Sequence, residues 1–435
     1  MSQEDDAVVA WIRESAFPLA TLNPHAPLDD LAPFQRIVGD AAIVGLGEGS
    51  HGTRECFLAK HRLLRFLVEK MGFTLVAMEM DWMRAAALND YILTGRGDAR
   101  TLLKQNGYWF WYAEEILDLS EWLRAYNADP HHQRIYFAGF DAVGLERASL
   151  DQVVRYIERV DPPHAARVAA LYQPLSGVSI LRLPAPPVRQ RLIEAAQQVS
   201  RLLAEQAPVY IARSSPAAFA EIVRQARIAE QVTHRLHDAD APRHSAAFRA
   251  MAQRREQGLA EHIIWLHEQA SAGAKMILWA HNWHVGTWGV WHLGPEKDLA
   301  PFQWVGAELR QRYREQYLAL GFSFGEGKHN ALAIDEEGRL LVHPRPPFLL
   351  APARAGSYEE TLARAGRQYV LDLRAAPAGE VRKWLEGPHP FRVLNDVHHS
   401  EEDDYHQTPL LRWFDVLIHL EQISPSRLLA RRFAT

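Results

Sequence analysis

The stretch Ala41-Ala42-Ile43-Val44-Gly45-Leu46-Gly47-Glu48-Gly49-Ser50-His51-Gly52-Thr53-Arg54-Glu55 decides the fold of this chain. An apolar run leads into a glycine-rich turn, and an amphipathic segment from Phe57 to Lys70 follows. That order reads as strand, tight loop, helix. Loops after a strand of an open α/β sheet are where ligands bind. Glycine there lets backbone approach a substrate, and a histidine there titrates near neutral pH.

The glycine spacing loosely resembles a phosphate or dinucleotide cradle, with acids following at Glu79 and Asp81. Such cradles work because bare N–H groups and a helix dipole face an anion. Glu48 inside the loop and Glu55 just after it repel that anion, and no Gly-Lys-Ser or Gly-Lys-Thr follows.

Working outward, strand signals recur at Ala41–Leu46, Thr74–Met80, Arg134–Phe140, Lys275–Ala280, Tyr317–Phe324, Tyr369–Leu373 and Asp415–Leu420. Most are continuous apolar runs, the pattern of strands covered on both faces. Alternation with helices predicts an α/β fold with a mainly parallel sheet flanked by helices. From Gly144 to about Ala272 the strand signals stop. Segments such as Arg191–Gln206 and Ala217–His237 are amphipathic helices by spacing and propensity, broken by Pro162-Pro163, Pro184–Pro187 and Pro242. The expected organisation is an α/β core over 1–147, a large all-helical insertion over 148–272 forming a cap or second subdomain, and a second part of the core over 273–435. As a bland alternative, the insertion is a helical spacer.

The 435 residues suffice for a large core, and a net charge of −5 with acids and bases mixed shows no basic stripe for nucleic acid. The single cysteine, Cys56, rules out a disulfide framework within one chain and reads as a buried helix residue. Met1 to Asp6 is acidic and lacks a signal-peptide pattern, and no apolar run reaches membrane-spanning length. A soluble cytoplasmic protein without a membrane partner is the expectation.

The chemistry lies in the polar residues that follow the strands. Glu48 and His51 follow the first, Glu79 and Asp81 the second, Asp141 the third. His281-Asn282-Trp283-His284 follows the fourth, and Glu326 the fifth. Parallel strands would gather them at one carboxyl edge. A lone histidine there is more often structural, and a lone Glu79 could simply pair with Arg54 or Arg84; their coincidence points to function. Gly321-Phe322-Ser323-Phe324-Gly325 matches the nucleophile-elbow pattern literally and is a rival. Water activated by a histidine held by a carboxylate needs no nucleophilic side chain. His281 and His284 with His51 and Glu48 or Glu79 could make a zinc set, although no His-Glu-x-x-His helix exists. No cofactor is expected, with the metal question open. The acidic run His398–Asp404 reads as a solvated loop. Aromatics cluster at Tyr108-Trp109-Phe110-Trp111-Tyr112 and at Trp279, Trp283, Trp288 and Trp291. Core packing claims part of them, and the rest suit the wall of a cleft for a bulky ligand.

Three blocks resemble the erythromycin esterase family: Gly47-Glu48-Gly49-Ser50-His51-Gly52-Thr53-Arg54-Glu55, Val76-Ala77-Met78-Glu79, and Trp279-Ala280-His281-Asn282-Trp283-His284-Val285. Known members open the lactone ring of erythromycin by hydrolysis. The resemblance implies an α/β core with a helical part and a cleft between them. It implies a histidine-activated water at His51, with Glu48 and Glu79 orienting or tuning that base. His281 and His284 would bind the ester or stabilise the oxyanion, Arg54 would be an electrostatic helper, and Glu55 a partner behind them. Trp109, Trp111 and Trp283 would line the substrate. The family's Arg-Asp-x-x-Met-Ala-x-Asn helix is matched only loosely by Arg255-Glu256-Gln257-Gly258-Leu259-Ala260-Glu261-His262, with Arg255 expected to reach the substrate. Trp283 stands where a smaller residue is common, and would narrow the cleft. The expected activity is hydrolysis of a carboxylic ester, a macrolide lactone. The alternatives are a metal-dependent hydrolase of another bulky ester, or a non-catalytic binding protein for a polyketide or saccharide.

Overall fold

A computed structural model describes the chain except for residues 1–2, 107, 181, 243–244, 290–301, 335–339, 342–346, 395–396, 399–403 and 430–435. Trp291 and most of the acidic run after His398 therefore lie outside the described residues.

The main sheet has nine strands. In chain order they are β1 (Phe17–Pro18), β2 (Ile43–Leu46), β3 (Phe73–Asp81), β4 (Tyr136–Asp141), β5 (Lys275–Trp279), β6 (Tyr317–His329), β7 (Phe348–Leu350), β8 (Gln368–Asp372) and β9 (Val416–Ile423). Across the sheet the order is β1-β8-β9-β6-β2-β5-β3-β4, with β7 on the far end of β6. The six strands from β9 to β4 are parallel. Only β1, β8 and β7 pair antiparallel. Central strands β2 and β3 are buried at every position, as their unbroken apolar runs require.

Local signals set the helices that follow. The glycine loop opens into α1 (Arg54–Met71), which ends at Gly72 in the left-handed conformation at φ 71°. Asp81 caps α2 (Trp82–Thr94) by accepting from the Arg84 N–H. Within the loop glycine serves close approach: a Cβ on Gly47 would lie 2.4 Å from Asn282 Oδ1, and one on Gly52 1.8 Å from the Asn330 carbonyl oxygen. Asn282 in turn accepts from the Phe322 N–H and donates to the Phe322 carbonyl oxygen, tying its turn to β6.

Between β4 and β5 the described residues form helices and no strand of the sheet. They are α3 (Arg147–Val160), α4 (Pro162–Tyr172), α5 (Pro186–Glu205), α6 (Ala207–Arg213), α7 (Pro216–Arg235) and α8 (Ala246–Gln269). Pro162, Pro186 and Pro216 each open a helix, where a missing N–H costs nothing. Helices α3 to α7 share a hydrophobic cluster that includes Leu150, Val153, Tyr172, Val199, Tyr210 and Val232, separate from the clusters on the two faces of the sheet, whereas α8 buries Leu259, Ala260 and Ile263 in one of those sheet-face clusters. The last of them, α8, runs back against β4 and carries Arg255 and Glu256 to the sheet edge. No helix among the described residues is long and apolar enough to cross a membrane.

Candidate active site

The loop after β2 folds back on itself so that Glu48 and His51 face each other. His51 Nδ1 donates to Glu48 Oε1 at 2.5 Å. Its ring lies flat against Phe110, with centroids 4.3 Å apart, and edge-on to Trp111. The other carboxylate oxygen of Glu48 accepts from Lys60 Nζ at 2.6 Å. Lys60 sits on α1, is completely buried, also donates to the Ala280 carbonyl oxygen, and lies 4.3 Å over the Trp279 ring. Burial pulls the Lys60 ammonium down to about 8, against the attraction of Glu48.

Glu79 at the end of β3 is the hub. Its Oε2 accepts from the His281 N–H and lies 3.9 Å from His51 Nε2. Its Oε1 accepts from His284 Nε2 at 3.0 Å and from Arg255 at 3.2 Å. Burial opposes its ionisation, but His284, His51 and Arg255 outweigh burial and hold the carboxyl well below the usual range. Trp111 donates its indole N–H to the Glu79 carbonyl oxygen at 2.8 Å.

His284 donates from Nδ1 to Glu256 at 2.9 Å as well as from Nε2 to Glu79. Burial disfavours its charge, yet the two carboxylates push its pKa up to about 10. It is an imidazolium at neutral pH. Arg255 Nη1 then approaches a like charge at 3.3 Å, with Glu79 balancing both. His281 is the opposite case. Its Nδ1 accepts from the Trp283 N–H at 3.3 Å and its Nε2 donates to the Leu394 carbonyl oxygen at 2.8 Å. Burial and the neighbouring His51 keep it neutral, well below the usual histidine range. Both its nitrogens hold backbone, so His281 shapes the turn and packs beside His51 with ring centroids 4.9 Å apart.

Asp141 at the end of β4 completes the edge. It accepts from Arg255 at 2.8 Å, Arg235 at 3.2 Å and the Tyr108 hydroxyl at 2.7 Å. Despite complete burial, those two arginines hold its carboxyl far below the usual range.

The structure thus brings together Glu48, His51, Glu79, His281, His284 and Arg255, with Trp111 at the edge of the His51 ring. It leaves out several expected members. Arg54 turns away to Glu115 at 3.4 Å, and Glu55 accepts from the N–H and hydroxyl of Ser424. Both start α1, where one step along the helix swings a side chain by about 100°, so adjacency to His51 in sequence is not adjacency in space. Asp81 is spent on the α2 cap and the Val143 N–H. Glu326 accepts from Gln422 on the exposed extension of β6. Trp109 packs edge-on to Phe110, and Trp283 stacks on Trp304 with centroids 5.1 Å apart and also meets Trp413. Ser323 lies fully buried in mid-strand, 3.0 Å from His419 on neighbouring β9. An elbow needs a strand-to-helix turn, so the rival nucleophile fails. Among the described residues no group of three His, Cys, Asp or Glu side chains has an arrangement that could hold a metal ion. A cavity of about 530 Å³ lined by Arg147, Tyr172 and Gln173 lies between α3 and α4, not at the strand ends.

Lys60, Glu256, Arg235 and Tyr108 were not expected. Lys60 had a signal: Cys56, Phe57, Leu63, Leu64 and Leu67 make the apolar stripe of α1, and Lys60 falls inside it at helical spacing. Glu256 takes the place of the acid in the loosely matched helix motif.

Comparison with known proteins follows the same lines. A sequence profile of the erythromycin esterase family matches residues 68–423. The Escherichia coli protein named erythromycin esterase type II is 24% identical over 390 residues, covering 84% of this chain and 90% of that protein. A solved structure titled as a succinoglycan biosynthesis protein has a TM-score of 0.80 and 29% identity, covering 99% of this chain and 100% of that one. An erythromycin esterase mutant in its open conformation has a TM-score of 0.73 and 18% identity, covering 94% and 98%; that likeness is one of fold. With the profile running across most of its length, this chain belongs to the erythromycin esterase family.

Proposed function

We propose that the protein is a carboxylic-ester hydrolase that opens the lactone ring of a macrolide with a water activated by His51. The observation that carries this reading is the Glu48–His51 pair set 3.9 Å from Glu79. A water about 2.8 Å from both His51 Nε2 and Glu79 Oε2 would point its two protons at them and its lone pair away. Glu48 fixes the His51 proton on Nδ1, leaving Nε2 as the accepting atom. His51 takes one proton as the water oxygen bonds to the ester carbonyl carbon. The carbonyl π electrons pass to oxygen, and the Arg255 guanidinium supplies positive charge for that oxyanion. Collapse breaks the bond to the ring oxygen, which recovers the proton from His51. One ester and one water give one carboxylic acid and one alcohol.

The test is incubation with a panel of macrolides, read by mass spectrometry, with His51→Ala as control. The expected result is a gain of one water by at least one macrolide, and a rate loss of about 10²–10⁴-fold in the variant. No water added to any macrolide sinks the substrate; full rate in His51→Ala sinks the mechanism. The relative titled for succinoglycan biosynthesis supports a second substrate class, esters on a saccharide. Acylated saccharides in the same panel decide between them.

A further inference from the structure

Lys60 needs a reason. A fully buried lysine is rare unless paired, and a buried ion pair is weak evidence for stability, because apolar replacements are often as stable. Here the ammonium is fully engaged: Glu48 Oε2 at 2.6 Å, the Ala280 carbonyl oxygen at 3.2 Å, and the Trp279 face at 4.3 Å. Glu48 is likewise divided, one oxygen to Lys60 and the other to His51.

A carboxylate 2.5 Å from an imidazole attracts a second proton to that ring. Left alone, Glu48 favours the imidazolium form of His51, and an imidazolium cannot take a proton from water. We infer that Lys60 is a positioning residue that offsets the charge of Glu48, so that Glu48 orients His51 with its proton on Nδ1 while His51 stays a neutral base. The inference rests on the reading of His51 as the base. It concerns a group that touches neither water nor ester.

Several other titratable groups among the described residues face this chain of contacts. Glu79 lies across from His51 and also acts on Lys60; His284 and Arg255 stand behind Glu79 and balance it. His281 beside His51 is neutral. Cys56, on the same helix as Lys60, carries a thiol pushed up to about 12 by burial and is uncharged. Lys60 is thus the cation that answers Glu48 directly.

The experiment uses the full chain with ¹⁵N-labelled histidine, the His51 signals being identified by their loss in His51→Ala. In Lys60→Met the His51 protonation midpoint should rise by about one pH unit or more, and the acid limb of kcat/KM should rise with it. Lys60→Arg should keep the wild-type midpoint. A folded Lys60→Met protein with an unchanged His51 midpoint overturns the inference. If Lys60→Met does not fold, Lys60→Gln carries the test: it keeps a hydrogen-bond donor for Glu48 but no charge, so the midpoint should still rise, and an unchanged midpoint overturns the inference. A wild-type protein that hydrolyses no ester yet shows these shifts would sink the proposed function and leave the role of Lys60 standing.

Discussion

Glu79 and His284 are joined at 3.0 Å, and together with Glu256 on the other ring nitrogen this bond keeps the histidine a cation far above its usual range, against the opposing effect of burial. This has a stability consequence. A folded pKa of about 10 against an ordinary 6.5 means that the contribution of His284 is complete below 6.5 and is lost as pH rises through 10. Lys60 works the other way: its folded pKa of about 8 against 10.5 makes stability rise with pH across that interval. The clean measurement is therefore a difference. Tm of the wild type minus Tm of His284→Gln, followed by calorimetry from neutral to strongly alkaline pH, should shrink as pH climbs. A constant difference contradicts the cationic state.

Glu256 is the second anchor of that cation, at 2.9 Å from His284 Nδ1. Removing one partner of a buried pair costs about 3–5 kcal/mol. Glu256→Gln should lose an amount of that order in urea unfolding, and Glu256→Asp should lose less because the charge survives. Equal losses would mean that shape, not charge, is what Glu256 provides.

Glu55 and Arg54 stand beside the site in sequence and outside it in space. Glu55→Ala breaks two bonds to Ser424 and should cost about 1–3 kcal/mol. Arg54, about one-third exposed, pairs with Glu115 at 3.4 Å, and Arg54→Met should change stability by at most about 1 kcal/mol. Neither should change kcat for an ester that the wild type turns over, measured well below Tm. A hundredfold loss in either would return that residue to the site.

Cys56 is buried with its thiol pushed up to about 12, chiefly by burial. The thiolate is the reactive form. Thiol reagents should leave the folded protein unlabelled at neutral pH and label it once unfolded in urea. Rapid labelling of the folded protein would show that α1 opens locally.

Most of the sheet was legible because strands covered on both faces leave continuous apolar runs, whereas the two- and three-residue strands β1 and β7 are too short to leave such a signal. The first strand was expected from Ala41 and begins at Ile43; the fifth was expected to stop at Phe324 and continues to His329. Glu48, His51, Glu79 and the His281–His284 turn were legible because each follows such a run. Lys60 was hidden by its type, since lysine on an amphipathic helix is normally a solvated residue; only its place in the apolar stripe tells otherwise. Arg54 and Glu55 adjoin His51 in the motif yet bond elsewhere, to Glu115 and Ser424, because a motif is linear and a helix is not. His281 and His284 look alike in sequence and differ in charge, because carboxylates surround one and backbone groups the other.

The chain from Ser424 to Leu429 crosses beneath both loops that frame His51. Ser424 accepts from the Arg54 N–H and donates to the Glu55 carboxylate, Ser426 donates to the Gly52 carbonyl oxygen, and Arg427 accepts from the Glu114 N–H. Leu428 bridges Ala113, and Leu429 donates to the Tyr112 carbonyl oxygen. The glycine loop is among the earliest parts of the sheet to be synthesised and its fastening among the latest. During synthesis Glu48 and His51 are therefore made long before the loop that carries them is fastened.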